Sequence, residues 1–143
     1  MNMAIREAIK AYKLDEVPVG AVIIKDNKII SSAYNESICS SDATAHAEII
    51  AIRRACEAMD NYRLTDCDMY VTLEPCMMCL GAILEARIKN LYIGLLDYKR
   101  GACISKMQLQ DSSLSYHKLN VVYDESKIYK YLLQNFFKKL RQS

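Results

Sequence analysis

Residues 69–86, MYVTLEPCMMCLGAILEA, pass from a strand-like segment directly into a helical one. Met69 to Leu73 contains the β-branched and aromatic side chains that strands favour. Cys76 to Ala86 has the composition and apolar spacing of a helix. Strands that alternate with helices pack as a sheet with helices on its faces, so this segment predicts an α/β layer fold.

The segments on either side continue the alternation. Asp26-Asn27 separates two strand-like runs with residues that tolerate a left-handed backbone, so we expect a β-hairpin there. Asp42 or Thr44 is the candidate N-cap of a helix that ends at Met59. The predicted strands are Val19–Lys25, Lys28–Tyr34, Leu91–Leu95 and Leu119–Tyr123, and the predicted helices are Met3–Leu14, Asp42–Met59 and Glu125–Lys139.

Length and composition limit the class of protein. A chain of 143 residues, 52% hydrophobic and 25% charged, suits one globular domain over residues 1–143. The longest nearly apolar run, Val17 to Ile24, is far shorter than the roughly 20 residues of a membrane-spanning helix. The amino terminus lacks the apolar core of a secretory signal, and the six cysteines are irregularly spaced. We therefore expect a cytoplasmic protein with reduced thiols and no membrane segment.

Positive charge is concentrated at the carboxyl end. The whole chain has a net charge of +2, whereas residues 125–143 contain five Lys or Arg residues and one Glu. A basic terminal helix is either a solvated face or a surface for RNA phosphates, and the composition leaves both interpretations open.

Two short motifs carry metal-binding chemistry, HAE at 46–48 and PCMMC at 75–79. Cys76 and Cys79 are three residues apart, so both thiols face the same way on a helix. Together with His46 they make three ligands of the kinds that zinc prefers, and a catalytic zinc site leaves its fourth position open. Glu48 beside such a site is a candidate acid–base group, able to take a proton from water and return it to the substrate.

The order His-x-Glu and then Pro-Cys-x-x-Cys resembles the signature of the zinc-dependent nucleobase deaminases. From about residue 3 to residue 141 the chain resembles, more specifically, the bacterial tRNA-specific adenosine deaminases. Tyr34, Glu36-Ser37 and Ile104 depart from that family's usual residues. The matching segments are VPVGAV at 17–22, DATAHAEI at 42–49, NYRL at 61–64, YVTLEPC at 70–76 and FF at 136–137.

The resemblance implies a fold and a substrate site. The fold is a three-layer α/β/α sandwich of the cytidine deaminase-like type with a five-stranded mixed sheet. Asn35 would hydrogen-bond the flipped adenine, and Asp97 would contact the RNA backbone. The implied partners are the anticodon stem-loop of a tRNA and a second subunit in a homodimer, with one zinc ion per subunit. The implied walls of the base pocket are Val17, Pro18, Leu73 and Pro75.

These features predict the hydrolytic deamination of adenosine to inosine at the wobble position of a tRNA anticodon. One alternative keeps the chemistry and takes a free base or nucleoside such as guanine, cytosine or cytidine. Another is a zinc-stabilised interaction module without activity. The four glycines form no phosphate-binding loop, which disfavours a nucleoside triphosphate enzyme.

Overall fold

The computed structural model describes residues 1–143 as four helices and five strands, all in the predicted order. The bounds differ from those predicted by at most three residues, except at the start of the second helix. None of the helices is long and apolar enough to cross a membrane. The elements are α1 Asn2–Lys13, β1 Gly20–Lys25, β2 Lys28–Tyr34, α2 Ala47–Met59, β3 Asp68–Val71, α3 Met77–Glu85, β4 Asn90–Ile93, β5 Asn120–Tyr123 and α4 Lys127–Gln142, with a 3₁₀ turn at Leu109–Asp111.

All five strands form a single sheet in the order β2-β1-β3-β4-β5. β1 pairs antiparallel with β2 and β3, and the pairs β3–β4 and β4–β5 are parallel. The predicted β1–β2 hairpin is confirmed, and its turn residues Asp26 and Asn27 have φ values of 52° and 63°. A left-handed backbone at both positions matches the twist of the flanking strands.

Each face of the sheet has its own hydrophobic cluster. The larger cluster packs α2 and α3 against alternate residues of the central strands, such as Ile23 and Met69. On the other face, Ile5 and Ala8 of α1 pack with Tyr129 of α4. The predicted three-layer α/β/α sandwich with a five-stranded mixed sheet is therefore confirmed.

The predicted start of α2 at Asp42 is wrong, because the helix begins at Ala47. The carboxylate of Asp42 accepts hydrogen bonds from the Thr44 backbone N–H at 2.9 Å and from the Thr44 hydroxyl at 2.7 Å, which is a local turn. The carbonyl of Ala45 is occupied by the N–H of Glu36 at 2.9 Å. Residues 42–46 therefore form a turn that precedes α2 and are not part of the helix.

Gly20 marks the closest approach of α1 to the sheet, and we expect Gly20→Ala to destabilise the protein by about 1–3 kcal/mol. An added methyl group would overlap the carbonyl oxygen of Ala4 and the backbone of Ala8, which cannot move without shifting α1. At Gly81, inside α3, such a methyl group would meet no atom within 4 Å apart from its chain neighbours and the backbone of its own helix, so Gly81 provides the matched control. Gly81→Ala should be neutral or stabilising by up to about 1 kcal/mol. Urea unfolding of both variants measures the difference, and equal midpoints would contradict the expectation.

Candidate metal centre and active site

The structure brings His46, Cys76 and Cys79 together where two helices begin. His46 is the N-cap residue of α2 and Cys76 that of α3, and both have extended backbones. His46 Nδ1 lies 3.4 Å from Cys79 Sγ and 3.7 Å from Cys76 Sγ, and all three ligand atoms lie within 4.8 Å of one another. Inside a helix, residues two positions apart point in nearly opposite directions. Because His46 precedes α2 and has an extended backbone, its side chain does not follow that rule and can share a site with Glu48.

The three side chains fit a zinc ion in both chemistry and spacing. One imidazole nitrogen and two sulfurs form a ligand set typical of zinc. A sulfur and a nitrogen bound to one tetrahedral zinc ion lie about 3.5 Å apart, given Zn–S and Zn–N bonds of about 2.3 and 2.0 Å. The two nitrogen–sulfur distances of 3.4 and 3.7 Å lie on either side of that value.

The environment of the two thiols makes one of them acidic. The pKa of Cys76 is lowered to about 3, chiefly because it accepts a hydrogen bond from the Cys79 side chain, with a further contribution from His46. That hydrogen bond and burial raise the pKa of Cys79. The pKa of His46 is raised by its hydrogen bond to Cys76, while burial and the charge of Arg100 oppose the shift. Cys76 is thus a thiolate at neutral pH, the form that binds metal.

Glu48 lies in the first turn of α2, next to this cluster, and is only 4% exposed. Burial is the largest cause that raises its pKa, to about 7, and Cys76 raises it further. A carboxyl group with a pKa near neutrality both gains and loses a proton under working conditions, as a general acid–base catalyst must.

Asn35 follows β2 directly and is 8% exposed. Its Nδ2 donates to the Val17 carbonyl at 3.4 Å, and its Oδ1 accepts from the Ser37 hydroxyl at 3.1 Å. These two contacts orient the amide at the end of the strand.

The four predicted wall residues lie on two neighbouring segments. Val17 and Pro18 precede β1, and Leu73 and Pro75 follow β3, immediately before Cys76. Pro18 and Pro75 are buried, whereas Val17 and Leu73 are half-buried. The start of β1 runs beside the end of β3, since the N–H of Thr72 donates to the Gly20 carbonyl at 3.0 Å. The predicted walls are therefore close in space.

Asp97 lies in the loop after β4, and its carboxylate is engaged within that loop. Oδ1 accepts the backbone N–H groups of Lys99 at 3.0 Å and of Arg100 at 3.1 Å. The Asp97 carboxylate therefore stabilises a turn within its own loop. The predicted contact of Asp97 with RNA stays a prediction.

Sequence reasoning assigned no role to two buried glutamates that hold loops near the site. Glu16 is fully buried and accepts the backbone N–H groups of Ile38 at 3.1 Å and Cys39 at 2.7 Å. Glu74, 2% exposed, accepts hydrogen bonds from the loop after β4. Neither carboxylate forms a salt bridge. The only feature of the sequence that could have pointed to these roles is the position of each glutamate close to a predicted strand.

Comparison with known proteins places the chain in a family. The profile of the MafB19-like deaminases matches residues 1–141. A tRNA-specific adenosine deaminase of Aquifex aeolicus is 41% identical over 143 residues, which cover all of this chain and 95% of the relative. The chain belongs to the family of tRNA-specific adenosine deaminases. The corresponding enzyme of Haemophilus influenzae is 50% identical over 122 residues, or 85% of this chain and 70% of that relative.

Solved structures of the family and of other deaminases have the same fold. A structure from a study of A-to-I editing by tRNA:A34 deaminases at the wobble position is 44% identical, with a TM-score of 0.85 over 87% of this chain and 95% of the other. A guanine deaminase of Bacillus subtilis is 28% identical, with a TM-score of 0.65 over 96% and 90% of the two chains. The chain is therefore a deaminase, and the predicted resemblance is confirmed.

Proposed function

We propose that this chain converts adenosine to inosine by zinc-dependent hydrolysis at the wobble position of a tRNA anticodon. The observation that carries the proposal is the cluster of His46, Cys76 and Cys79, with the buried Glu48 beside it. The family relatives named tRNA-specific adenosine deaminases support the substrate class. Residues 1–143 would act as one deaminase domain.

We infer that His46 Nδ1 and the sulfurs of Cys76 and Cys79 hold one zinc ion per subunit. When bound, zinc supplies Lewis-acid activation of a water molecule for attack on the base. The lowered pKa of Cys76 favours the thiolate that binds metal, whereas Cys79, with its raised pKa, must lose a proton when the metal binds.

Glu48 moves the protons of the reaction. Its carboxylate takes a proton from the attacking water, which adds to carbon 6 of adenine. The carboxyl group gives this proton to the ring nitrogen, takes the second proton from the new hydroxyl on carbon 6, and gives it to the amino group. The bond between carbon 6 and the amino nitrogen then breaks, ammonia leaves, and the oxygen stays on carbon 6 as the carbonyl of inosine.

The substrate contacts follow from the residues around the centre. We infer that the Asn35 amide hydrogen-bonds the edge of a flipped base that lies between Val17, Pro18, Leu73 and Pro75. Asp97 and its loop would lie along the RNA backbone. An anticodon loop suits this site, because its bases are unpaired and can be turned out at low cost.

We propose a homodimer in the cytoplasm as the working state. Met77 and Met78, in the first turn of α3, are 65% and 38% exposed, an apolar surface beside the metal ligands that a second subunit would cover. Sedimentation equilibrium of the purified protein measures the association, and a monomer at micromolar concentration would contradict it.

The end of α4 is the candidate surface for RNA phosphates, and two of its three cations have no acidic partner. Lys139 pairs with Asp15 at 3.1 Å, whereas Lys138 and Arg141 form no salt bridge. We expect the double variant Lys138→Ala/Arg141→Ala to weaken tRNA binding and to lower the salt slope by about 1.5 to 2. Lys139→Ala is the control and should change the slope less. Filter binding at several salt concentrations measures both, and an unchanged slope in the double variant would assign this end of α4 to solvent.

The function is tested by incubating the zinc-loaded protein with tRNA, adenosine, cytidine and guanine in parallel. We expect ammonia release and inosine formation with tRNA alone. Guanine is included because two guanine deaminases share the fold. Turnover of a free base or nucleoside without turnover of tRNA would contradict the proposal in favour of that substrate. Bound zinc with no ammonia from any of them would favour an interaction module.

A further inference from the structure

We propose that Glu74 is a positioning residue for substrate recognition, which holds the loop of residues 97–105 against the metal centre. The part of this inference that concerns tRNA rests on the proposed function. The part that concerns the loop is independent of it.

Five hydrogen bonds join the Glu74 carboxylate to this loop. Oε1 accepts the backbone N–H of Asp97 at 3.0 Å and the hydroxyl of Ser105 at 2.5 Å. Oε2 accepts the backbone N–H groups of Cys103, Ile104 and Ser105 at 3.1, 2.8 and 2.9 Å. One side chain therefore binds both ends of the loop.

Glu74 is suited to hold the loop and not to take part in the reaction. Burial raises its pKa, but the hydrogen bonds from Ser105, Ile104 and Asp97 outweigh burial and leave the pKa below its ordinary value. The carboxylate is thus ionised, has no cationic partner, and has both oxygens occupied by the loop. Hydrogen bonds to a buried charge are among the stronger ones in proteins.

The loop itself is built to fit this carboxylate. A methyl group on Gly101 would overlap all three atoms of the Glu74 carboxylate, so the backbone at Gly101 packs directly on it. The Ala102 N–H donates to the Pro75 carbonyl at 3.0 Å, which ties the loop to the residue that precedes Cys76. The loop is therefore joined to the segment that carries a metal ligand.

The exposed tip of the loop carries two cations, Lys99 and Arg100, without a salt-bridge partner. Their backbone N–H groups are bound by the Asp97 carboxylate, and the Asp97 N–H is bound by Glu74. Gly101 and Ala102, which follow Arg100 directly, contact Glu74 and the Pro75 carbonyl, so the two cations stand near the segment that leads into Cys76. Glu74 thus fixes, through Asp97, where two free positive charges stand beside the site, and the ligand they suit is a polyanion such as an RNA backbone.

The test compares Glu74→Gln, Glu74→Asp and Gly101→Ala in the zinc-loaded protein. Glu7→Gln is the matched control, because Glu7 is also buried, at 5% exposed, but pairs with Lys10 within α1. The measurements are zinc content, hydrogen exchange of the backbone amides of 103–105, and the salt dependence, KM and kcat for tRNA.

For Glu74→Gln we expect unchanged zinc content, exchange of these amides at least about tenfold faster, and a KM for tRNA raised more than kcat is lowered. The salt slope should fall by as much as about 2, for two displaced cations. Glu74→Asp, which keeps the charge, should restore part of each effect. Gly101→Ala should reproduce them with Glu74 intact, and adding Glu74→Gln to it should change little more.

Unchanged amide exchange in both Glu74→Gln and Gly101→Ala would overturn the inference. Faster exchange with unchanged KM and salt slope would also overturn it, because the loop would then be held for stability alone. Loss of zinc in Glu74→Gln but not in Glu7→Gln would assign Glu74 to the metal centre instead. If the unaltered protein does not act on tRNA, the proposed function fails, while the exchange measurement still decides whether Glu74 holds the loop.

Discussion

Glu48→Ala is expected to lower the rate of inosine formation in tRNA by about two to four orders of magnitude, with zinc still bound. The three ligand atoms belong to other residues, so the metal site keeps its donors when the carboxylate is removed. The reaction loses its proton carrier, and general acid–base catalysis contributes about 10²- to 10⁴-fold. Single-turnover kinetics with saturating tRNA, together with zinc analysis of the same sample, measure both quantities.

Two further variants make this result specific to proton transfer. Glu48→Gln keeps the size of the side chain and should be as inactive as Glu48→Ala, because an amide cannot carry the proton. His46→Ala removes a ligand and should lose zinc. A Glu48→Ala protein that loses zinc to the same extent as His46→Ala would show that Glu48 is a metal ligand. This result would contradict the assignment of Glu48 as an acid–base group that does not bind the metal.

Cys76→Ser and Cys79→Ser are each expected to weaken zinc binding by about a hundredfold or more and to abolish activity. A serine hydroxyl is a far poorer zinc ligand than a thiolate, and two remaining ligands cannot hold the ion in a tetrahedral site. Stability should fall with zinc content, since the binding free energy of a metal is gained only by the folded chain. Competition with a chromophoric chelator and thermal unfolding measure the two effects.

Cys67→Ser is the control for the cysteine substitutions. Cys67 is as buried as Cys79, at 0% exposure, but its Sγ contacts Met59 Sδ at 3.8 Å and no predicted ligand. It should keep full zinc content even where it loses stability. If Cys76→Ser and Cys79→Ser both remain metallated and active, the ligand set is wrong.

Local chemistry made the members of the His46, Cys76 and Cys79 cluster predictable. Cys76 and Cys79 are three residues apart at the start of a helix, so their geometry follows from helical periodicity. His46 and Glu48 were recognisable as a His-x-Glu motif, although α2 begins later than predicted, with His46 as its N-cap residue. The pattern of residue types was also sufficient to predict the family, and the similarity to known relatives confirms that prediction.

At the start of α2, the local capping residues led to a wrong prediction of the first helical residue. Asp42 and Thr44 have the chemistry of N-cap residues, and Asp42 does accept the hydrogen bonds that a cap accepts. They lie in a turn because the Ala45 carbonyl is taken by Glu36, on the far side of the loop after β2. A partner nine residues away decided the helix start, and the capping signal alone did not include it.

Residue types at short spacing therefore predicted the elements, the hairpin and the pairing of Cys76 with Cys79, because helical and strand geometry converts such spacing into position. The meeting of these cysteines with His46, 30 residues away from Cys76 along the chain, depended on the fold. The roles of Glu16 and Glu74 depended on folding. Their partners are backbone N–H groups 22 to 31 residues away along the chain. Every residue except proline carries a backbone N–H, so these partners leave no mark in the sequence. They were identifiable only once the sheet had brought the loops to the buried carboxylates.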